Sequence, residues 1–300
     1  MNHRTQEGPT STISKTAEVI PPQSLVFDIG MHNGEDSAYY LHLGHSVVGV
    51  DANPLLTAQC ALRFEREIAE GRMKIINAGV LKQAGEFTFY RNLQDDEWSS
   101  FDSEKGKKGG KWEAVTIPCL TAQELIAMHG KPHFMKIDIE GADFQAIESI
   151  TPVTSPSYIS VELSPVDPIV EKLISLGYSS FKFVNGETYR SIPPIFSHQI
   201  GWRVLRKAAQ VAPLIRSAIS RLPERLRAKT EFNPPGKYSP NGYVFGTCSS
   251  GPFGEQAAGL WLDPKDALRW FDQLKRDYRK ANAPLWWDVH ARHSSVSRIS

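Results

Sequence analysis

The stretch from residue 25 to residue 54 constrains the fold more strongly than any other part of the chain. It contains two short apolar runs, which end at Asp28 and Asp51. A turn with Gly30 and Gly34 and a segment long enough for one helix lie between the two runs. Uninterrupted apolar runs are typical of parallel strands covered on both faces, and parallel strands require a crossover connection. The stretch therefore predicts a βαβ unit with a sharp glycine turn after its first strand.

The glycine turn and Asp51 together predict a nucleoside-binding site. A carboxylate that ends the second strand, about 20 residues after the glycines, can accept hydrogen bonds from both hydroxyls of a ribose. The glycines lack the dinucleotide spacing G-x-G-x-x-G, and Asp28, Glu35 and Asp36 surround them with negative charge. Such a turn would repel a pyrophosphate and attract a cationic sulfonium nucleoside. We therefore predict S-adenosylmethionine rather than NAD as the ligand; the alternative is a purely structural turn.

Strand and helix patterns alternate along much of the remaining chain. Further strands are predicted at residues 74–78, 115–120, 134–139, 158–162 and 180–184. Residues 85–92 predict a strand that pairs at an edge or extends the sheet, and residues 242–248 the last strand. Thr121 and Glu124 have the spacing of a capping box, which predicts a helix start. The alternation predicts an α/β fold with a doubly wound, mostly parallel seven-stranded sheet.

We expect one α/β domain at residues 25–250, preceded by a flexible arm at residues 1–24. A C-terminal helical and aromatic extension at residues 251–300 is expected to pack on or near the active site. The domain carries a basic helical insertion at residues 186–240, in which basic and apolar residues are interspersed. Such a segment can lie on an anionic surface or bind an acidic partner, or it can pack on the core as a surface helix pair.

Carboxylates follow two of the predicted strands. Asp138 and Glu140 come at the end of an apolar run, and Glu162 ends the next strand along the chain. Because burying unpaired charge is costly, we expect these side chains to face a cleft. In an open parallel sheet the cleft lies beyond the carboxyl ends of the strands, so they should share one rim with Asp28 and Asp51.

Composition and charge narrow the class of protein. The net charge of +1 gives no reason to expect sequence-specific binding of nucleic acid. The three cysteines, Cys60, Cys119 and Cys248, lack the spacing of a metal site or a disulfide frame, which is typical of a reducing compartment. The first 24 residues lack the apolar core of a signal peptide, and no apolar run is long enough to span a bilayer. We therefore expect a soluble, cytoplasmic protein.

Two further segments could lie over the site. Residues 94–111 form either a lid or an ordinary solvated connection. The tail contains paired tryptophans followed by Asp288, His290 and His293. These residues could stack on a ring and supply a base, or they could form a packing anchor with satisfied histidines.

Four sequence stretches resemble the FkbM-type S-adenosylmethionine-dependent methyltransferases. They are VFDIGMHNGEDS at residues 26–37, VGVDANP at 48–54, INAGV at 76–80 and FMKIDIEGADFQAI at 134–147. The resemblance covers residues 25–162 and includes the serine-bearing loop at residues 98–100; Asp143 stands where the family often has Glu. It implies a class I, Rossmann-like methyltransferase fold and O-methylation of a hydroxyl, often on a sugar or a polyketide-type natural product. The acceptor could be a small molecule, a glycan or a carrier-linked group.

The residues and the resemblance together give a candidate site. The residues expected to hold the cofactor are Asp28, Gly30, Asn33, Gly34, Ser37, Asp51, Ala52, Asn53, Ala78 and Gly79. The candidate catalytic residues are Asp138, Glu140, Glu162 and, more weakly, His32, His290 and His293. Asp138 and Glu162 are also candidate ligands for Mg²⁺ or another divalent cation. The rival interpretations are a non-catalytic nucleoside-binding or interaction module and an NAD-dependent oxidoreductase.

Overall fold

The computed structural model describes residues 24–186, 189–191, 242–246, 248–281 and 287–296. The predicted N-terminal arm and nearly all of the basic insertion lie outside these ranges, so the predictions made for them stay predictions. Within these ranges, no helix is both long enough and apolar enough to cross a lipid bilayer.

Strands and helices alternate as the sequence predicts. The strands are β1 (Leu25–Ile29), β2 (Ser46–Asp51), β3 (Met73–Asn77), β4 (Gly79–Val80), β5 (Gly85–Asn92), β6 (Trp112–Leu120), β7 (Phe134–Ile137), β8 (Tyr158–Glu162), β9 (Tyr178–Asn185), β10 (Arg190–Ser191) and β11 (Trp287–His293). The helices are α1 (Glu35–His42), α2 (Pro54–Arg63), α3 (Glu65–Ala69), α4 (Ser103–Gly106), α5 (Ala122–His129), α6 (Asp143–Glu148), α7 (Ile169–Ser175) and α8 (Pro264–Ala281). The capping box predicted at Thr121 is present, and α5 begins directly after it.

The central sheet has the strand order β3-β2-β1-β7-β8-β11-β9-β10 in the described part of the chain. The strands from β3 to β8 in this order are parallel, whereas β11 runs antiparallel between β8 and β9. The chain winds outward from β1 in both directions, so the sheet is doubly wound. The prediction of a mostly parallel seven-stranded sheet is confirmed, and the two-residue β10 adds a short edge.

The predicted position of the last strand was wrong. The strand is formed by residues 287–293 rather than 242–248, and it lies inside the sheet. Its residues are buried up to Arg292 because β11 has a neighbouring strand on each side. Asp288, His290 and Arg292 alternate with apolar residues in this strand. The sequence therefore lacks the continuous apolar run that predicts a strand buried on both faces. The α/β domain therefore extends beyond residue 250.

The described part of the tail packs within the central sheet, and its histidines do not line the cleft. The ring of Trp287 lies 5.2 Å from the ring of Trp270, as in a packing anchor, but the ring nitrogens of His290 have no hydrogen-bond partner among the described residues. His290 is buried, and burial lowers its pKa to about 3, so its ring is neutral. His293 pairs with Tyr178 at the opposite end of β11, away from the carboxyl ends of the parallel strands.

Residues 85–92 form a strand, as predicted, and of the two arrangements considered it pairs at an edge and does not extend the central sheet. β5 pairs antiparallel with β6, and these strands form a separate three-stranded sheet with β4. The side chains of Phe89 and Ile117 in this small sheet pack against Ala52, which follows β2. The small sheet therefore forms one wall beside the carboxyl end of β2.

At the carboxyl ends of β1 and β7, the backbone at Gly30 lies very close to the backbone at Asp138. A Cβ at Gly30 would lie 1.7 Å from the backbone oxygen of Asp138, and the residue has a φ of +80°. We expect Gly30→Ala to lower the free energy of unfolding by at least about 2 kcal/mol, through backbone strain and overpacking together. Urea denaturation measures this loss. Gly71→Ala is the matched control, because Gly71 has a φ of +73° but a Cβ there would meet nothing within 4 Å. Equal losses in the two variants would contradict the importance of the close approach.

Candidate active site

A cleft opens at the carboxyl ends of the central strands, where the sequence predicts it. Its volume is about 780 Å³ when the open solvent at its mouth is included. Loops after β1, β2, β3 and β7 surround it. The lining residues are Ile29, Gly30, His32, Val50, Asp51, Ala52, Asn53, Leu56, Ala78, Gly79, Val80, Phe89, Asp96, Glu97, Ser99, Phe101, Lys136, Asp138, Ile139, Glu140 and Cys248.

Asp51 joins the loops on two sides of this cleft. Its Oδ2 accepts a hydrogen bond from the backbone N–H of His32 (2.8 Å), and its Oδ1 accepts one from the N–H of Asn53 (2.8 Å). Burial raises the pKa of Asp51, although these two hydrogen bonds oppose the effect. A carboxylate oxygen can accept more than one hydrogen bond, so Asp51 can also bind ligand hydroxyls. The structure places this predicted residue in the cleft, and its contact with a ribose stays a prediction.

Small and apolar residues form the part of the cleft next to Asp51. Ala52, Ala78 and Gly79 line it, and a Cβ at Gly79 would lie 2.4 Å from the ring of Phe101. Asn53 also lines the cleft, and its side chain caps α2 by accepting a hydrogen bond from the N–H of Leu55 (3.1 Å). A flat apolar slot beside a carboxylate fits the base and the ribose of a nucleoside.

Four residues that we expected to hold the cofactor do not line the cleft. Asp28 is fully buried below the glycine turn, and its Oδ2 accepts a hydrogen bond from the hydroxyl of Ser37 (2.6 Å). Asn33 accepts a hydrogen bond from the N–H of Glu35 through its side chain (3.2 Å), and a Cβ at Gly34 would collide with the ring of Phe64. In the structure these residues shape the turn, and their part in holding a cofactor stays a prediction.

A buried lysine, which we had not singled out, lies next to Asp28. Lys136 Nζ is 3.2 Å from Asp36 Oδ2 and 3.6 Å from both Asp28 Oδ1 and Asp138 Oδ2. Burial lowers the pKa of Lys136, but the three carboxylates raise it well above its ordinary value overall. Burial raises the pKa of Asp28 to about 6 against the opposing charge of Lys136. The floor of the cleft is thus an ammonium group shared by three carboxylates.

The segment after the basic insertion is tied to this network. The hydroxyl of Ser249 donates a hydrogen bond to Asp36 Oδ1 (2.5 Å), and the N–H of Ser250 donates to both oxygens of Asp36 (3.1 and 3.0 Å). Cys248 lines the cleft, and its thiol donates a hydrogen bond to Glu97 Oε1 (2.6 Å) on the opposite side. Sequence reasoning missed this segment because we had assigned it to a strand of the sheet.

The three predicted catalytic carboxylates are brought together. Asp138, Glu140 and Glu162 each offer an oxygen, and these oxygens all lie within 4.8 Å of one another. Burial raises the pKa of Glu140 to about 7, and it raises that of Glu162 well above its ordinary value. Glu140 has a φ of 57°, and its backbone oxygen accepts a hydrogen bond from the hydroxyl of Ser100 (2.7 Å). The side chain of Glu140 forms an ion pair with Lys105 of α4.

His32 lies in the cleft but away from this cluster of carboxylates. Its Nε2 is 3.1 Å from Asp96 Oδ1, and its backbone N–H is bonded to Asp51 as described. Asp96 and Glu97 belong to a 3-10 helix at Asp96–Trp98, within the segment that we had interpreted as a lid or a connection. Residues 96–101 therefore form part of the wall of the cleft.

The chain matches the model of the FkbM methyltransferase domain over residues 28–184, which is more than half of its length. It therefore belongs to the FkbM family of S-adenosylmethionine-dependent methyltransferases, as the resemblance of its motifs implied. The class I methyltransferase fold expected from that resemblance is the fold observed. No curated protein sequence matches the chain.

Several solved structures are similar to this chain. An FkbM methyltransferase from Methylobacillus flagellatus KT is 14% identical, with a TM-score of 0.34, over 47% of this chain and 33% of the other, so the chain spans about a third of that protein. A SAM-dependent methyltransferase from Geobacter sulfurreducens in complex with S-adenosyl-L-homocysteine is 14% identical over 91% of this chain and 85% of the other, with a TM-score of 0.35. An rRNA methylase from Streptococcus thermophilus is 15% identical over 56% of this chain and 78% of the other, with a TM-score of 0.34.

The residues of the cleft fit S-adenosylmethionine. Ala52, Ala78 and Gly79 leave room for a flat ring, and Asp51 can accept the ribose hydroxyls. Asp96, Glu97, Asp138 and Glu140 add negative charge to the lining, and Lys136 is the only lysine or arginine among the described lining residues. This charge suits a sulfonium ion and opposes a pyrophosphate.

Proposed function

We propose that this protein is an S-adenosylmethionine-dependent O-methyltransferase that acts on a hydroxyl of a sugar or another small natural-product-type acceptor. The acceptor is free, part of a glycan or linked to a carrier. The observation that carries this proposal is the cluster of Asp138, Glu140 and Glu162 at the edge of the nucleoside-type cleft. An acceptor bound at this cluster would lie next to the methyl group of a cofactor held by Asp51.

The chemistry of methyl transfer explains why such a cluster is useful. The carbon–sulfur bond of the cofactor breaks as a carbon–oxygen bond to the acceptor forms in line, and the hydroxyl proton must leave. Positioning supplies much of the acceleration, but a protonated alcohol is a poor nucleophile. Asp138, Glu140 and Glu162 can remove the proton, one of them acting as a general base, or they can together hold a hard divalent cation that acidifies the hydroxyl.

The test is transfer from isotopically methyl-labelled S-adenosylmethionine to a panel of hydroxylated acceptors, followed by mass spectrometry. We expect release of S-adenosylhomocysteine and a product that carries the label. Asp51→Ala should weaken cofactor binding about 100-fold in calorimetry, because it removes charged hydrogen bonds to the ribose. Asp266→Ala is the control, since Asp266 is an exposed residue of α8 that pairs only with Arg269.

Two outcomes would contradict the proposal. Cofactor binding without S-adenosylhomocysteine release for any acceptor would favour a non-catalytic nucleoside-binding module. A fluorescence change on titration with NADH would favour an oxidoreductase. Unchanged cofactor affinity in Asp51→Ala would refute the assignment of Asp51 alone.

A further inference from the structure

The cluster of carboxylates at the cleft already has a cationic partner from the protein itself. Lys105 lies on α4, and its ammonium group is in contact with Glu140 Oε2. A Cβ at Gly141 would lie 3.9 Å from Cδ of Lys105, so the aliphatic part of the lysine runs along the loop that carries Glu140. This ion pair places the ammonium group of Lys105 directly against the cluster of carboxylates.

The carboxylates outnumber the ammonium groups around this position. Lys136 is already shared by three carboxylates, as described above, and Lys105 contacts only Glu140 among the three residues of the cluster. Asp143 adds another carboxylate, but it is used by the loop itself, since it accepts hydrogen bonds from the N–H groups of Ile139 (2.9 Å) and Gly141 (3.0 Å). Asp138 thus shares Lys136 with two other carboxylates, and Glu162 forms no ion pair among the described residues.

A second and independent observation points to a cation at this position. Asp288 is only 2% exposed, and neither of its carboxylate oxygens has a hydrogen-bond partner among the described residues. It lies directly opposite Glu162 in the ladder between β8 and β11, so the two side chains are on the same face of the sheet. Asp288 therefore stands beside Glu162 in the central sheet, next to the cluster.

The spacing and the type of the ligand atoms favour a hard divalent cation. Mg²⁺ binds oxygen at about 2.0–2.1 Å and Ca²⁺ at about 2.3–2.6 Å, so ligands on opposite sides of such an ion lie roughly 4–5 Å apart. The oxygens of the three carboxylates lie within 4.8 Å of one another. The donors are all carboxylates, without sulfur or imidazole, and this set suits Mg²⁺, Mn²⁺ or Ca²⁺.

We propose that Asp138, Glu140 and Glu162 form a binding site for a hard divalent cation, and that the ammonium group of Lys105 is a tethered competitor that the metal displaces. Only one part of this proposal rests on the proposed function, namely that the bound metal would activate the acceptor hydroxyl. The existence of the site can be measured without any acceptor. Asp288 lies opposite Glu162 and offers two carboxyl oxygens that have no hydrogen-bond partner among the described residues.

The test is calorimetric titration of the full chain with MgCl₂, MnCl₂ and CaCl₂, in the absence of cofactor and acceptor. Lys105→Met should bind at least one of these metals about tenfold more tightly than the wild type, because a partly buried ion pair no longer competes. Glu162→Gln should weaken binding more than about tenfold, since even partners of metal ligands commonly contribute that much. Lys107→Met is the matched control, because the ammonium group of Lys107 lies over the rings of Tyr90 and Trp112 instead. It should bind metal as the wild type does.

Thermal melting of each variant shows whether it is folded. A folded wild type and a folded Lys105→Met that give no heat with any of the three metals would overturn the proposal. Equal metal affinity in Glu162→Gln would also overturn it. Binding of methylammonium in place of the metals would overturn it in favour of an amine-bearing acceptor. If a protein that binds no metal still releases S-adenosylhomocysteine with a hydroxylated acceptor, the metal site is refuted while the methyltransferase proposal stands.

Discussion

Replacing Lys136 with methionine should lower the free energy of unfolding by about 3–5 kcal/mol, which is the usual cost of leaving buried charges without their partner. Lys136 is 3% exposed, and its ammonium group is the cation nearest to Asp28, Asp36 and Asp138. Methionine fills a similar volume, so the loss arises from the charge and not from a cavity. Urea denaturation followed by circular dichroism measures the change.

The loss should be larger at pH 8 than at pH 5. The pKa of Asp28 is about 6 in the folded protein, above its ordinary value, so its ionisation destabilises the fold as the pH rises through that value. Without Lys136 the folded pKa rises further, and the destabilisation by ionised Asp28 at pH 8 grows. At pH 5 Asp28 is mostly protonated, so the positive charge of Lys136 contributes less to the free energy of unfolding.

Lys131→Met serves as the control for this prediction. Lys131 is exposed, and its ammonium group donates one hydrogen bond to the backbone oxygen of Val153 (3.3 Å). Its replacement should change stability by less than about 0.5 kcal/mol. A loss in Lys136→Met no larger than that, at either pH, would show that the three carboxylates do not depend on the lysine.

Replacing Glu140 with glutamine should lower kcat at least about 100-fold, whether the carboxylate acts as a general base or as a metal ligand. Glutamine keeps the size of the side chain but can neither take up the hydroxyl proton nor supply a negative charge. The position is well defined, because the backbone of Glu140 is held by Ser100 and the side chain by Lys105. Calorimetry should show unchanged affinity for S-adenosylmethionine, since Glu140 lies at the acceptor end of the proposed site.

Glu113→Gln is the matched control for that experiment. Glu113 lies on β6, and it is paired with Arg91 on the neighbouring strand. Its replacement should leave both turnover and cofactor affinity as in the wild type. Full turnover in Glu140→Gln would show that the carboxylate of Glu140 is neither the general base nor an essential metal ligand.

The doubly wound, mostly parallel sheet and the location of the cleft could be predicted from the sequence, because apolar runs indicate buried strands and parallel strands end at one edge. Asp51, Asp138, Glu140 and Glu162 follow such runs, and the structure places all four at that edge. Asp28 also ends an apolar run, but its side chain is fully buried beneath the glycine turn. A strand end indicates where a residue lies along the sheet, and it does not indicate which face the side chain takes.

The buried network of Lys136 with three carboxylates was not predicted, although the sequence contains a signal for it. Lys136 interrupts an apolar strand, and a buried lysine requires acidic partners. In the structure it lies directly beside Asp28 in the parallel ladder between β1 and β7. The link from Asp36 to Ser249 and Ser250 joins residues more than 200 positions apart, and no local pattern reports such a contact.

The position of β11 has a consequence for how the chain folds. β8 and β9 are neighbours of β11 and not of each other, so both present unpaired backbone groups until the segment from Trp287 to His293 has been synthesised and inserted. Pairings between distant parts of a chain form slowly, and open strand edges invite association with other chains. During translation the half of the sheet that carries the cleft can form first, whereas the other half waits until the residues of β11 have left the ribosome.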